Sequence, residues 1–174
     1  FLNESKKTKI YYPFDFEVRI EVTLKINCLE FDIAILNKTD RAMPINFGLH
    51  PYFNISDFKN LDFTNIPLNC QNQERNTLDN TLDELKNINL GVDLLMYTLG
   101  EIAFKDKVLK RQVTLKHKYP FDLAVIWSDP PRKMICLEPW TSPRNSIVDG
   151  YRKIIIPPYD SQKIEASIQI KSFM

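Results

Sequence analysis

Between Phe16 and Leu24, apolar and polar residues alternate one for one: Phe16-Glu17-Val18-Arg19-Ile20-Glu21-Val22-Thr23-Leu24. A period of two marks a strand with one buried face. Leu29 to Leu36 reads as the next strand, after a hairpin-like turn at Asn27-Cys28. Met43, Ile45, Phe47 and Leu49 alternate again, with Pro44, Asn46, Gly48 and His50 on the opposite face. Further strands are expected at Val92 to Leu99, Glu101 to Phe104, Lys107 to Lys116, Leu123 to Trp127, Lys133 to Glu138 and Ile164 to Ile170. Residues 54–90 are rich in Asn and Asp and read as irregular connections with short strands, and with a short helical pattern near Leu78 to Leu85. Many short strands without long helical patterns predict an all-β antiparallel sandwich or barrel-like fold. The chain has 4 Gly and 11 Pro, so its turns must be made from Asn, Asp and Pro.

The 174 residues fit a single domain, 1–174. Lys+Arg and Asp+Glu nearly cancel, for a net charge of +1, which gives no electrostatic basis for binding nucleic acid or an acidic membrane. No apolar run approaches a membrane span, and no secretory leader pattern is visible. Cys28, Cys70 and Cys136 are scattered, no CxxC occurs, and only His50 and His117 are available as imidazole ligands. A disulfide framework and a zinc site are therefore not expected, and three reduced thiols point to the cytoplasm. Phosphate-cradling Gly-rich loops are absent.

Two strand ends present chemistry. In Gly48-Leu49-His50-Pro51-Tyr52-Phe53, Pro51 forces His50 toward an extended backbone and has no amide for a ladder, so the strand should end or bulge there. An imidazole held in that place suits proton transfer near neutral pH. A hydrogen-bonded turn histidine is the plainer alternative. In Met134-Ile135-Cys136-Leu137-Glu138-Pro139-Trp140, Glu138 shares a face with Met134 and Cys136 at the end of an apolar strand. Partial burial would raise its pKa and make it a better base. The alternatives are a carboxylate paired with Arg144 or Arg132, or a solvated strand end. Trp140 could wall a sugar ring. Asp93 interrupts the apolar run Val92-Asp93-Leu94-Leu95-Met96-Tyr97, sharing a face with Leu95 and Tyr97; it suits vicinal sugar hydroxyls or is an exposed strand-start carboxylate. His117, between Lys116 and Lys118, reads as a solvated turn without a role, and Lys6-Lys7-Thr8-Lys9 as a solvated tail.

Tyr12-Pro13-Phe14-Asp15-Phe16, Met43-Pro44 with Gly48-Leu49-His50-Pro51-Tyr52-Phe53, Val92-Asp93-Leu94-Leu95, and Leu137-Glu138-Pro139-Trp140-Thr141 occur in an order that resembles the aldose 1-epimerase (galactose mutarotase-like) superfamily. The likeness is to its bacterial aldose 1-epimerase and hexose-6-phosphate mutarotase-like branches, and Ser142-Pro143-Arg144-Asn145 looks like cyanobacterial members. It implies a large antiparallel β-sandwich of which this chain is the C-terminal portion, without the N-terminal strands and their arginine and second histidine. It implies His50 as general acid, Glu138 as general base and Asp93 as a ligand of sugar hydroxyls. Such chemistry interconverts the anomers of a hexose or hexose phosphate and needs no cofactor and no metal. The partners implied are a small sugar or sugar phosphate, with a homo-oligomer or a separate N-terminal segment completing the fold. A non-catalytic carbohydrate-binding sandwich and an inactive truncated relative are the other readings. Whether phosphate is preferred is left open: Arg132, Arg144, Arg152 and Lys153 near the Glu138 segment could meet one, or be ordinary surface charges.

Overall fold

The computed structural model describes residues 1–173. Fifteen strands follow in chain order: β1 Leu2–Asn3, β2 Phe16–Lys25, β3 Cys28–Asn37, β4 Met43–Ile45, β5 Tyr52–Asn54, β6 Leu61–Thr64, β7 Asn69–Asn72 and β8 Thr77–Asn80, then β9 Val92–Tyr97, β10 Glu101–Asp106, β11 Arg111–His117, β12 Leu123–Ser128, β13 Met134–Trp140, β14 Ile154–Ile156 and β15 Ser161–Ser172. Three short α-helices, α1 Thr8–Tyr11, α2 Thr81–Leu85 and α3 Ser146–Asp149, and a 3-10 turn at Phe58–Asn60 lie between them. None of the described helices is long and apolar enough to cross a membrane.

Every strand pairing is antiparallel. One sheet runs β1-β2-β3-β15-β11-β10-β6, a second β5-β13-β12-β9-β7-β8, and β14 pairs with β4 as a separate ribbon. The alternation read from the sequence decides which side chains meet. Leu94, Met96, Ile126, Ile135 and Leu137 of the second sheet pack against Ile102, Phe104, Val113, Leu115 and Ile168 of the first. The ribbon residues Met43, Ile45 and Ile156 cover Ile33, Ile35 and Ile164 of the first sheet. Asn replaces Gly where the backbone turns left-handed: Asn27, Asn65, Asn76 and Asn145 all have positive φ.

Burial fades toward β2. Along one inner-face row, Leu115 is 0% exposed, its cross-strand neighbour Ile168 8%, and Leu24, beyond Leu29, 80%. Ile20, Val22 and Ile26 are likewise exposed, and β1 pairs only with Glu17 and Val18 of the outer edge of β2.

His117 corrects its sequence reading. It is the last residue of β11 and is buried, not solvated. Its Nδ1 donates to the Phe121 carbonyl at 2.5 Å, so Nε2 is the acceptor facing the Thr98 hydroxyl at 2.7 Å. Burial holds this imidazole below its ordinary pKa, against the opposing effect of the carbonyl bond. The flanking lysines alternate to the other face, which is why the local composition misled.

Candidate active site

The end of β13 and the segment before β5 form one interrupted antiparallel ladder. Gly48 bridges Trp140, and Tyr52 pairs with Cys136. Carrying that register through the gap sets His50 across from Glu138, on the same face. Pro51 removes an amide there, so the ladder opens while the side chains stay opposed. Accordingly His50 Nδ1 lies 3.4 Å from Glu138 Oε1. The backbone on either side is tied down: Leu49 N donates to the Pro139 carbonyl at 3.2 Å, and Phe47 N to Thr141 Oγ1 at 2.9 Å. The imidazole stacks on Tyr52 at 4.8 Å between centroids and meets the Trp127 edge at 5.8 Å.

Glu138 is 2% exposed. Burial is the main reason its carboxyl is pushed up to about 7; the nearby Asp93 charge adds to the rise, while Trp140 and Arg144 oppose it. Trp140 Nε1 donates to Oε2 at 3.1 Å, leaving Oε1 toward His50. Neither arginine considered from the sequence pairs with Glu138: Arg144 binds Asp93 and Arg132 binds Asp129.

Gly48 makes the indole position available. A Cβ there would stand 2.9 Å from Trp140 Cδ1 and 3.2 Å from Nε1. Gly48→Ala is therefore expected to push the indole off Glu138 and cost about 1–3 kcal/mol as an overpacked site. Urea unfolding and the tryptophan emission maximum check this together; an unchanged midpoint and spectrum would show that the indole yields freely.

Around this pair is an open cavity of about 320 Å³, whose lining includes Asn46, His50, Glu138, Trp140, Ser142 and Arg144. A larger one, about 450 Å³, lies at Glu30, Asp32, Lys116, Lys118 and Glu165. Lys118 and Glu165 there are paired with each other at 2.6 Å. The smaller cavity is the one that brings His50 and Glu138 together.

Asp93 sits on β9 with its side chain on the same outer face as Leu95 and Tyr97, as the alternation requires, but it is 5% exposed and does not line the cavity. Its Oδ1 accepts from Gln73 Nε2 at 2.6 Å and its Oδ2 from Arg144 Nη2 at 2.8 Å. Arg144 lies in the segment leading from Trp140 back across this face. Ser142 Oγ binds the Arg152 carbonyl at 2.8 Å, Arg152 pairs with Asp122, and the Tyr151 and Tyr97 hydroxyls are 2.7 Å apart. Leu95, Leu123 and Val125 are buried on that outer face. Spacing gave no signal for Gln73 or Trp127 as neighbours of the site; Trp127 enters through its pairing with Cys136 and Gln73 through its bond to Asp93.

Among the described residues, His50, Cys136 and Glu138 form the one group whose ligand atoms, within 4.8 Å of one another, could hold a metal. Burial pushes the Cys136 thiol up to about 12, with the Glu138 charge adding to it, so at neutral pH it is a protonated, poor ligand.

The aldose 1-epimerase family model matches residues 1–155. The plasmid-encoded LacX protein of Lactococcus lactis is 24% identical over 164 residues, covering 80% of this chain and 54% of its own length. The solved Slr1438 protein of Synechocystis superposes with a TM-score of 0.94 at 22% identity, over 99% of this chain and 60% of that one. A galactose mutarotase-like protein of Clostridium acetobutylicum superposes at 0.82 and 17% identity, over 99% and 61%. The chain thus spans about half the length of the LacX proteins it matches and about three fifths of these two solved ones. With the family model spanning most of the sequence and the sandwich matching over nearly all of it, this chain belongs to the aldose 1-epimerase family.

Proposed function

We propose that the chain supplies the acid–base centre of a mutarotase, interconverting the α and β anomers of a hexose. The single observation carrying this reading is the opposition of His50 and Glu138 at 3.4 Å on the wall of an open cavity. The ring oxygen and the anomeric hydroxyl share one carbon, so a ring-opening acid and base must be close neighbours. Glu138 takes the proton of the anomeric hydroxyl while His50 gives one to the ring oxygen. The C1–O5 bond breaks and the aldehyde forms. Rotation about C1–C2 presents the other face, and reclosure reverses both transfers. No electron leaves or enters, so the reaction balances with these two groups alone. A base whose pKa lies near the working pH is the best compromise between being ionised and being basic, and about 7 meets that. Trp140, beside Glu138, offers the apolar C–H face of the ring a wall. The uncovered apolar face of β2 is where further strands of a longer domain would pack.

The test is polarimetric relaxation of freshly dissolved α-D-glucose, α-D-galactose and glucose 6-phosphate, with and without the protein. Acceleration above buffer supports the reading. His50→Asn is expected to lower kcat about 10²-fold or more with affinity within a few-fold. Equal losses in both would make His50 a structural residue. Sugar binding without any acceleration would favour a carbohydrate-binding module.

A further inference from the structure

We infer that Arg144 is the group that holds the sugar hydroxyls in this site, and that Asp93 is its positioning residue. The inference rests on the mutarotase reading and assigns the sugar contact within it.

Register separates Asp93 from the acid–base pair. Asp93 pairs with Trp127 on β12, which pairs in turn with Cys136 on β13, so β9 lies two strands from the strand of Glu138. That is about 10 Å sideways at ordinary strand spacing. Both oxygens of Asp93 already accept hydrogen bonds, from Gln73 and Arg144, and the residue is buried. Arg144 bridges the interval. Its side chain is 57% exposed, it lines the cavity, and its Cζ lies 5.7 Å from the Trp140 ring centre.

The Arg144 backbone is anchored on both sides. Thr141 and Ser142 before it are buried and hydrogen-bonded, to the Phe47 and Arg152 carbonyls, and the Asn145 carbonyl after it accepts from Val148 N at 2.8 Å and Asp149 N at 3.0 Å. One end of the guanidinium is spent on Asp93. The other N–H groups have no partner among the described residues. A planar fork with one arm clamped can donate in parallel to two neighbouring oxygens. Because the Asp93 carboxylate balances its charge, Arg144 offers donors without net positive charge. That suits the oxygens of a vicinal diol better than a phosphate.

Sugar binding is read by ligand-observed NMR with D-galactose, D-glucose and glucose 6-phosphate, which works without turnover. Arg144→Ala is expected to weaken hexose binding about tenfold or more, with the fold retained by circular dichroism. Arg144→Lys should rescue little, since an ammonium lacks the fork. Asp93→Asn should weaken binding as well, and adding Arg144→Ala to it should cost no more than Arg144→Ala alone, because Asp93 works only through Arg144. Where turnover is measurable, Arg144→Ala should raise KM by a larger factor than it changes kcat. Additive losses would overturn the inference, since Asp93 would then hold the sugar itself. So would hexose binding indifferent to Arg144→Ala, or a glucose 6-phosphate preference that Arg144→Ala abolishes. A wild-type chain that binds none of the three overturns the mutarotase reading and the inference with it.

Discussion

Replacing Glu138 by Gln is expected to lower kcat by about 10²–10⁴-fold, the usual contribution of a positioned base, while hexose affinity stays within a few-fold. Gln keeps the size and the acceptor for Trp140 but removes the proton sink. In the wild type, the rate should fall as pH drops through about 7, because the base is lost by protonation. The same substitution should also stabilise the protein, a readout independent of turnover. The folded-state pKa is raised from 4.5 to about 7, so the folded chain binds this proton more tightly than the unfolded one. Below 4.5, Glu138 is neutral in both states and the variant should match the wild type. As pH rises from 4.5 to 7 the wild type loses stability relative to Glu138→Gln, reaching about 3 kcal/mol above pH 7. Urea unfolding at pH 4 and pH 8 measures the gap. A wild type as stable as the variant at pH 8 would mean that the carboxylate is well solvated, and the base assignment would lose its physical support.

Asp106→Ala is expected to cost about 3–5 kcal/mol, because several hydrogen bonds to one buried charge are lost together. Asp106 is fully buried at the end of β10. It accepts from Ser56 N and Ser56 Oγ, both at 2.7 Å, from Val108 N at 3.1 Å and from Leu109 N at 2.9 Å. Burial pushes its pKa up, but these bonds together outweigh burial and hold the carboxyl below its ordinary value. Its stabilisation should therefore be complete above pH 3.8 and fade as pH falls through the lower folded-state value. Removing the side chain takes the acceptor from the Ser56, Val108 and Leu109 amides in two loops at once, the one after β5 and the turn between β10 and β11. Asn should recover part of the loss. Urea unfolding at pH 7 checks both variants; a cost under about 1 kcal/mol for Ala would show that the loops are held by backbone contacts alone.

Much of the architecture was legible because a strand writes its buried face into every second residue. Phe16 to Leu24 and Leu29 to Leu36 read as strands and are β2 and β3, and Leu78 to Leu85 holds the short helix α2. Boundaries shifted by a few residues: Lys107 to Lys110 is a turn, and the strand expected from Lys107 begins at Arg111. The lone histidine of β11 was misread because its neighbours point the other way, and periodicity cannot tell which face a second layer will cover.

The residues that meet at the cavity were legible as types but not as partners. Sequence alone determined that this chain is built of short antiparallel strands and that its turns rely on Asn; it expected Glu138 to end its strand, whereas β13 runs on to Trp140 and His50 sits in the gap before β5. Tertiary structure alone decided that His50 faces Glu138, that Glu138 is dry enough to be pushed up to about 7, and that Asp93 reaches the cavity through Arg144. The physical reason is separation along the chain. Alternation is a property of neighbouring residues, whereas these contacts join positions 88 and 51 residues apart through strand register, and register is set by the whole pattern of pairing and burial.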